Sequence, residues 1–411
     1  MSGTIVTYLG ECREPFSRVP LNEVDSLVLS TVAYFYFEHG ALTHLHAGER
    51  MRLPLALCGI RAADMFGDVW VARMGGEQLL HALFESPRFM DLWVGDYVTE
   101  TSHADEKQFA AVTFYLPDGS VYVAFRGTDS SLVGWKEDFN LSYLPKVPSQ
   151  ERARAYLQDV AQRCEGVLYI GGHSKGGNLA EYATLTCDDG IYERIVGVFS
   201  HDGPAFAHEP SARMHDASYS AKLHKSVPES SVIGMLMESR KNLTIVHADG
   251  VLFAQHASTH WAVEGQAFTR ATAITPDAEI VGRTVNNWAS AYEPAKRELL
   301  VNALFDILGA GDASTWVEWG KDYLGNSRAV FEAALKLPPD LRNELTSMFM
   351  DIAKVFGSEA RDVAFDVARD VAHENVPAAA DAIAKLLSAG IVPPPAKYAR
   401  FLTSFSKTSA L

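Results

Sequence analysis

Cysteine is scarce. The 411 residues hold four, Cys12, Cys58, Cys164 and Cys187, and no two lie within four positions of each other. That spacing excludes a CxxC-type metal or redox motif and argues against a disulfide framework. Four reduced thiols in a reducing compartment are expected. Positive charge is also in deficit: 36 Lys and Arg stand against 51 Asp and Glu, a net charge of −15. No basic patch is then on offer to displace counterions from phosphates, so a nucleic-acid partner is not expected. An anionic membrane surface is disfavoured for the same reason. Long apolar runs are missing too. The most apolar stretch, Leu27 to Phe37, is shorter than the ~18 residues of a membrane helix, so no stable membrane insertion is expected. The opening residues MSGTIVTYLGECREPF hold no basic segment followed by an apolar one. No signal peptide is read there, and the cytoplasm is the expected compartment.

What is present is ordinary globular composition, 47% hydrophobic and 21% charged. The length suits one large or two to three ordinary domains, with a core that needs no disulfide or metal. Residues 1–105 read as mainly helical. Within them Leu27–Phe37 reads as a buried helix, with Asn22 as its cap and Asp25 three residues on. From residue 106 to about 285, strand and helix signals alternate. FAAVTFYL (109–116) and VYVAF (121–125) flank Pro117-Asp118-Gly119-Ser120, a strong hairpin signal. Further strand-like runs are 167–170, 195–199, 232–237 and 243–246. Short apolar runs separated by helix-length segments predict an α/β fold, a mostly parallel central sheet with helices on both faces. Residues 290–411 read as helix only. Leu299, Leu300, Ala303, Leu304, Ile307 and Leu308 recur at helical spacing, and Gly309 closes the pattern. Leu341, Leu345, Met348, Ile352 and Val355 form a second stripe, and Val363, Val367 and Val371 a third. These stripes read as core-facing surfaces, and the region as a candidate oligomer contact.

The chemistry concentrates in GGHSKGGNLA, residues 171–180. It holds G-x-S-x-G at Gly172, Ser174 and Gly176. The pentapeptide alone is a weak signal. Here a strand-like run enters it and a helix-like run leaves it, the setting of a nucleophile elbow. The glycines leave room around a serine in a strained turn, and the helix N-terminus favours developing negative charge. The competing reading is a phosphate-binding Gly loop or a plain tight turn, although no Walker A spacing is present.

A serine needs a positioned base, and the base needs an orienting group. In α/β-hydrolases the chain order is Ser, acid, His. His256 follows an apolar run 82 residues after Ser174 and is the first choice; His260 is the alternative. His247 reads as packed within a strand. His201, His208, His215, His224 and His373 fall in polar segments and read as solvated. For the acid, Asp202 ends the run IVGVFSHDGP, although it could simply shape the Asp202-Gly203-Pro204 turn. Glu229 and Asp249 are alternatives. Two oxyanion donors are expected: the backbone N–H of Lys175, and Thr128 in the turn Arg126-Gly127-Thr128-Asp129, by its N–H and its hydroxyl.

These residues carry a resemblance. AFRGTDSSLVGWKEDF and GGHSKGGNLAEYA together resemble the class-three (fungal-lipase-like) α/β-hydrolases. More closely, NEVDSLVLS (22–30), GHSKGGNLA (172–180), Asp202-Gly203-Pro204, and Gln255-His256 with Trp261 are similar to a bacterial branch of unknown function within that group. The resemblance spans about residues 15–270. It implies a hydrolase fold, Ser174 as nucleophile, His256 as base and Thr128 in the oxyanion hole. One departure stands out: class-three lipases place their acid as Asp just before a Val-Pro pair, and here Lys225-Ser226 precedes Val227-Pro228. Lys175 after the serine also departs from the secreted lipases, and attraction for a carboxylate- or phosphate-bearing substrate is one reading of it.

The expected protein is a serine ester hydrolase of lipase or esterase type, acting on a small or lipid-like ester with no metal or cofactor. Residues 205–225 are expected to cover the site as a lid. The alternative is a non-catalytic hydrolase-fold scaffold that binds a partner through its C-terminal helices.

Overall fold

A computed structural model describes residues 3–66, 75–240, 242–250 and 252–355 of the chain. Its centre is an eight-stranded sheet whose spatial order equals its chain order. The strands are β1 (Arg50–Arg52), β2 (Trp93–Ser102), β3 (Lys107–Tyr115), β4 (Val121–Phe125), β5 (Leu168–His173), β6 (Ile195–His201), β7 (Leu223–Pro228) and β8 (Thr244–Val246). Pairs from β1 to β4 are antiparallel, and pairs from β4 to β8 are parallel. The β3–β4 hairpin forms over Asp118-Gly119, and Gly119 takes φ +87°, where a side chain would be strained.

Strand alternation divides the core. Val121, Val123 and Phe125 of β4 face the helices Pro148–Arg163 and Lys175–Thr186 through Tyr156, Leu157, Leu179 and Ala183. Tyr122 and Ala124 face the other side, onto the N-terminal helices, through Val24, Leu27 and Val28. Every residue of β4 is buried, as a strand covered on both faces requires. This is the α/β-hydrolase architecture, with helices on both faces of the sheet.

The helix Glu23–Val32 begins as its sequence predicts. Asn22 Oδ1 accepts from the N–H groups of Val24 and Asp25, both at 2.9 Å, and Asp25 Oδ2 accepts from Asn22 N–H at 3.0 Å. The same carboxylate takes Arg88 in a fully buried pair, at 2.9 and 2.5 Å.

Four local expectations change. The stretch 93–102, read as part of a mainly helical region, is the strand β2, whose mixed polar sequence hides it. Residues 232–237, read as a strand, contain a 3-10 turn at Ile233–Met235. His201, read as solvated, is completely buried at the end of β6. His247, read as packed, is exposed and bonds Glu229 Oε1 at 3.1 Å.

The chain divides into two compact units. One comprises residues 1–129 and 133–282; the other comprises 130–132 and the chain from Arg283 onward. The second unit takes in the chain from Arg283 within the helix Pro276–Ala291, and the helices Pro294–Leu308, Trp316–Lys321, Tyr323–Lys336 and Pro339–Val355. Leu300, Ala303, Leu304 and Ile307 are buried as the stripe predicts, while Leu299 is exposed. Gly309 caps the first of these helices. The stripe at Val363, Val367 and Val371 and the residue His373 lie outside the described residues.

Candidate active site

Parallel strands deliver their C-terminal ends to one edge of the sheet, the usual location of sites in such folds. Phe125 pairs with Gly172, His173 with His201, and His201 with Ser226. The turns after β4, β5, β6 and β7 therefore converge. They carry Thr128, Ser174, Asp202 and the Ser231–Gly234 loop.

Ser174 sits between β5 and the elbow helix Lys175–Thr186, at φ 59° and ψ −133°. A non-glycine residue held there costs about 1–3 kcal/mol and persists only because its surroundings fix it. Its N–H donates to His201 O at 2.9 Å. Around it no side chain fits: a Cβ on Gly172 would lie 2.3 Å from Gly176 C and O, and one on Gly176 2.1 Å from Phe125 O. A Cβ on Gly127 would come within 3.0 Å of Ser174 Cβ, so the Arg126-Gly127-Thr128 turn lies directly against the serine. His173 and Lys175 are buried; Ser174 between them stays partly exposed.

At the same sheet edge, His256 Nδ1 bonds Asp202 Oδ2 at 2.6 Å. Asp202 is wholly buried and takes φ 51°, a region Asp tolerates better than most residues. Its N–H donates to Ser226 O at 2.8 Å. Its other oxygen, Oδ1, accepts from Ser231 Oγ at 2.5 Å and Gly234 N–H at 3.0 Å. This explains the 3-10 turn at 233–235: the loop curls in to supply donors to the carboxylate. His256 closes a 3-10 helix whose backbone is braced by its neighbours. Gln255 Nε2 donates to Ala248 O and Gly250 O, and Trp261 Nε1 donates to Gln255 O. The Gln-His-x4-Trp pattern thus has a mechanical role. His173 adds a brace: its Nε2–H donates to His256 O at 2.7 Å, and its Nδ1 accepts from Tyr34 at 3.1 Å. Burial, helped by the neighbouring His256, pushes His173 well below the usual histidine range. The two imidazole centroids are 4.5 Å apart.

The alternatives lie elsewhere. His260 is turned to Ala254 O at 2.8 Å, Glu229 is taken by His247, and Asp249 is exposed. At the position where class-three lipases carry their acid, Lys225 is buried between Glu181 at 3.0 Å and Glu238 at 3.1 Å. The carboxylate behind His256 comes from one strand earlier.

Three expectations are corrected. Lys175 Nζ does not reach toward a substrate; it is buried against Gln108 and Glu137. The Thr128 hydroxyl donates its proton to Asp138 Oδ2 at 2.6 Å and is not free to donate it elsewhere. Burial raises Asp138 to about 6, against the opposing pull of Lys175, Thr128 and His256. The segment 205–225 is no lid. Asn178 holds Pro204 O and Ala205 O, then Arg213 donates to Thr184 O, Leu185 O and Cys187 O at the far end of the elbow helix. Thr184 is ten residues past Ser174, about 15 Å along a helix. The segment is the crossover from β6 to β7. Sequence reasoning missed Ser231, Gly234, Asp138 and Glu137, since their roles arise from packing that no local motif announces.

Among the described residues, no three His, Cys, Asp or Glu side chains converge as a metal site. No described helix is long and apolar enough to cross a membrane.

A mostly parallel sheet with a strained serine after β5, an aspartate after β6 and a histidine after the last sheet strand defines an α/β-hydrolase of the fungal-lipase-like kind. A family model described as Mbeg1-like matches residues 83–306. The chain belongs to this Mbeg1-like family, a class-three-lipase-like family. Among solved structures, the crystal structure of M37 lipase aligns at 15% identity with a TM-score of 0.34, over 61% of this chain and 84% of that one. No curated protein sequence matches the chain.

Proposed function

We propose that this protein is a serine hydrolase of lipase or esterase type that cleaves a carboxylic ester through an acyl-enzyme. The observation that carries the reading is the 2.6 Å bond between His256 Nδ1 and buried Asp202, at the sheet edge that also holds strained Ser174. The carboxylate accepts a hydrogen bond from Nδ1–H, so that proton stays on the ring and Nε2 is the bare nitrogen of the neutral imidazole. His256 Nε2 accepts the Ser174 proton as Oγ attacks the ester carbonyl. Asp202 holds that tautomer and stabilises the imidazolium, which then protonates the leaving alcohol. Water repeats the sequence on the acyl-enzyme. The N–H groups of Thr128 and Lys175 stabilise the oxyanion; loss of one such donor costs about 3–4 kcal/mol. The substrate is a small or lipid-like ester, and the chemistry uses no cofactor. A cytoplasmic setting belongs to the same reading, supported by four cysteines that are all free thiols.

A non-catalytic scaffold was favoured by the vacated class-three acid position. The Asp202 carboxylate behind His256 weighs against it. The test is labelling with a serine-reactive fluorophosphonate, on wild type beside Ser174→Ala and His256→Ala, followed by p-nitrophenyl esters of rising chain length. Wild-type labelling that both substitutions abolish is the expected result. A folded wild type that takes no label would sink the hydrolase reading in favour of the scaffold.

A further inference from the structure

Lys175 is the first residue of the elbow helix, and its side chain is almost completely buried. An ammonium has three protons to place. Here it has three acceptors: Gln108 O at 2.8 Å, Gln108 Oε1 at 2.8 Å and Glu137 Oε2 at 3.0 Å. Glu137 is equally buried. Its carboxylate also accepts from Gln108 N–H at 3.0 Å, Ser149 N–H at 2.9 Å and Ser149 Oγ at 2.7 Å. One ion pair thus joins β3, the helices Leu132–Asn140 and Pro148–Arg163, and the residue after the nucleophile.

Such a pair is a poor way to gain stability. Removing two charges from water costs several kcal/mol each, and an apolar pair of similar volume often does as well or better. What a fully bonded pair does supply is a fixed position. The next residue on the same helix, Asp138, holds Thr128 through its hydroxyl. Consecutive carboxylates therefore grip the two residues whose N–H groups the serine-hydrolase reading assigns to the oxyanion.

We infer, on the basis of that reading, that the buried Lys175–Glu137 pair is a positioning device for the oxyanion hole, setting where the Lys175 N–H points relative to the Thr128 N–H. The lysine acts through its own backbone and never touches substrate. Displacement of a catalytic group by about 1 Å costs on the order of 100-fold in rate.

The test compares wild type with Lys175→Met and with Glu137→Asp, which keeps the charge but withdraws it by one methylene. Arg88→Met breaks another buried pair, with Asp25, and serves as a stability control. Fluorophosphonate titration counts competent sites, so kcat is expressed per site. Two ligands are measured: an alkyl trifluoromethyl ketone, which adds Ser174 Oγ at its carbonyl to form a tetrahedral oxyanion, and the matching secondary alcohol, which cannot. The expected result for both site variants is a fall in kcat of about 100-fold and a matching rise in the ketone Ki, with KM and alcohol affinity within about threefold. The control loses thermal stability and leaves kcat per site and ketone Ki unchanged. Either site variant, once folded, carries the test. Unchanged kcat per site and ketone Ki would overturn the inference. So would equal weakening of ketone and alcohol, which marks a collapsed pocket. Wild type that neither labels nor hydrolyses any ester fails the serine-hydrolase reading itself, a separate result that removes both.

Discussion

Asp202→Asn exchanges one oxygen for an amide nitrogen at the residue behind His256, and the surroundings dictate which one. Oδ1 accepts from Gly234 N–H at 3.0 Å and Ser231 Oγ at 2.5 Å, and a backbone N–H can only donate. The asparagine therefore keeps its oxygen there and turns its NH₂ toward His256. The ring must then present a bare Nδ1 and carry its proton on Nε2, where it cannot accept the proton that the proposed mechanism takes from Ser174. The productive tautomer returns only if the amide flips. That sets NH₂ against Gly234 N–H and leaves a buried donor unpaired, at about 1–3 kcal/mol. In either orientation the negative charge that stabilises imidazolium is gone, a charge-assisted bond worth about 1.5–3 kcal/mol. Together these give about 4 kcal/mol, or about 10³ in kcat. Asn tolerates the φ of 51° at this position, so the fold should survive. The assay is hydrolysis of a p-nitrophenyl ester per titrated site, with the melting temperature as a check on folding. A well-folded variant within tenfold of wild-type kcat would refute the tautomer reasoning and Asp202 as the orienting acid.

Two more outcomes are expected. Acid should weaken the fold from about pH 6.5 downward, where the unfolded histidines protonate. Burial lowers His201 to about 3 and His173 well below its usual value, while the unfolded chain protonates both near 6.5. Unfolding then takes up protons below pH 6.5; stability falls by about 1.4 kcal/mol per pH unit for His201, and His173 acts in the same direction. Asp138, raised to about 6, releases a proton on unfolding between pH 4 and 6 and offsets one of them. Urea midpoints from pH 7 to 4 should fall accordingly, and less so in His201→Gln; identical slopes would remove His201 from the account. Gly172→Ala should cost about 3 kcal/mol or more, since the new Cβ meets backbone atoms of Gly176 and Phe125 that cannot yield cheaply. Gly190→Ala, a helical site with open space, should be neutral or slightly stabilising. Equal melting temperatures for the two would contradict the elbow geometry.

Much of the site was legible because its parts are local. Gly172, Ser174 and Gly176 announce a strained turn through the residues the turn excludes. Asp118-Gly119 announces the hairpin by the φ > 0 it needs, and Asn22 with Asp25 announces a helix start by the N–H groups it satisfies. β2 escaped because WVGDYVTETS mixes polar and apolar residues, breaks register between Gly95 and Val98, and bulges at Asp96, φ 50°. His201 escaped because burial depends on what covers a residue. Its Nε2 meets Ser26, which is 175 residues away in the chain.

The sequence by itself determined the strand–turn–helix around Ser174, the alternating α/β order and the chain order of serine, aspartate and histidine. Those follow from backbone sterics and side-chain periodicity, which act over a few residues. Only the tertiary structure decided that Asp202 meets His256, that Ser231 and Gly234 hold its second oxygen, and that Lys175 turns inward to Glu137. It also decided that 205–225 runs along the elbow helix instead of over the serine. These depend on which strand ends arrive at the same edge, and on which charges find partners once water is excluded. Neither is encoded at any fixed spacing along the chain.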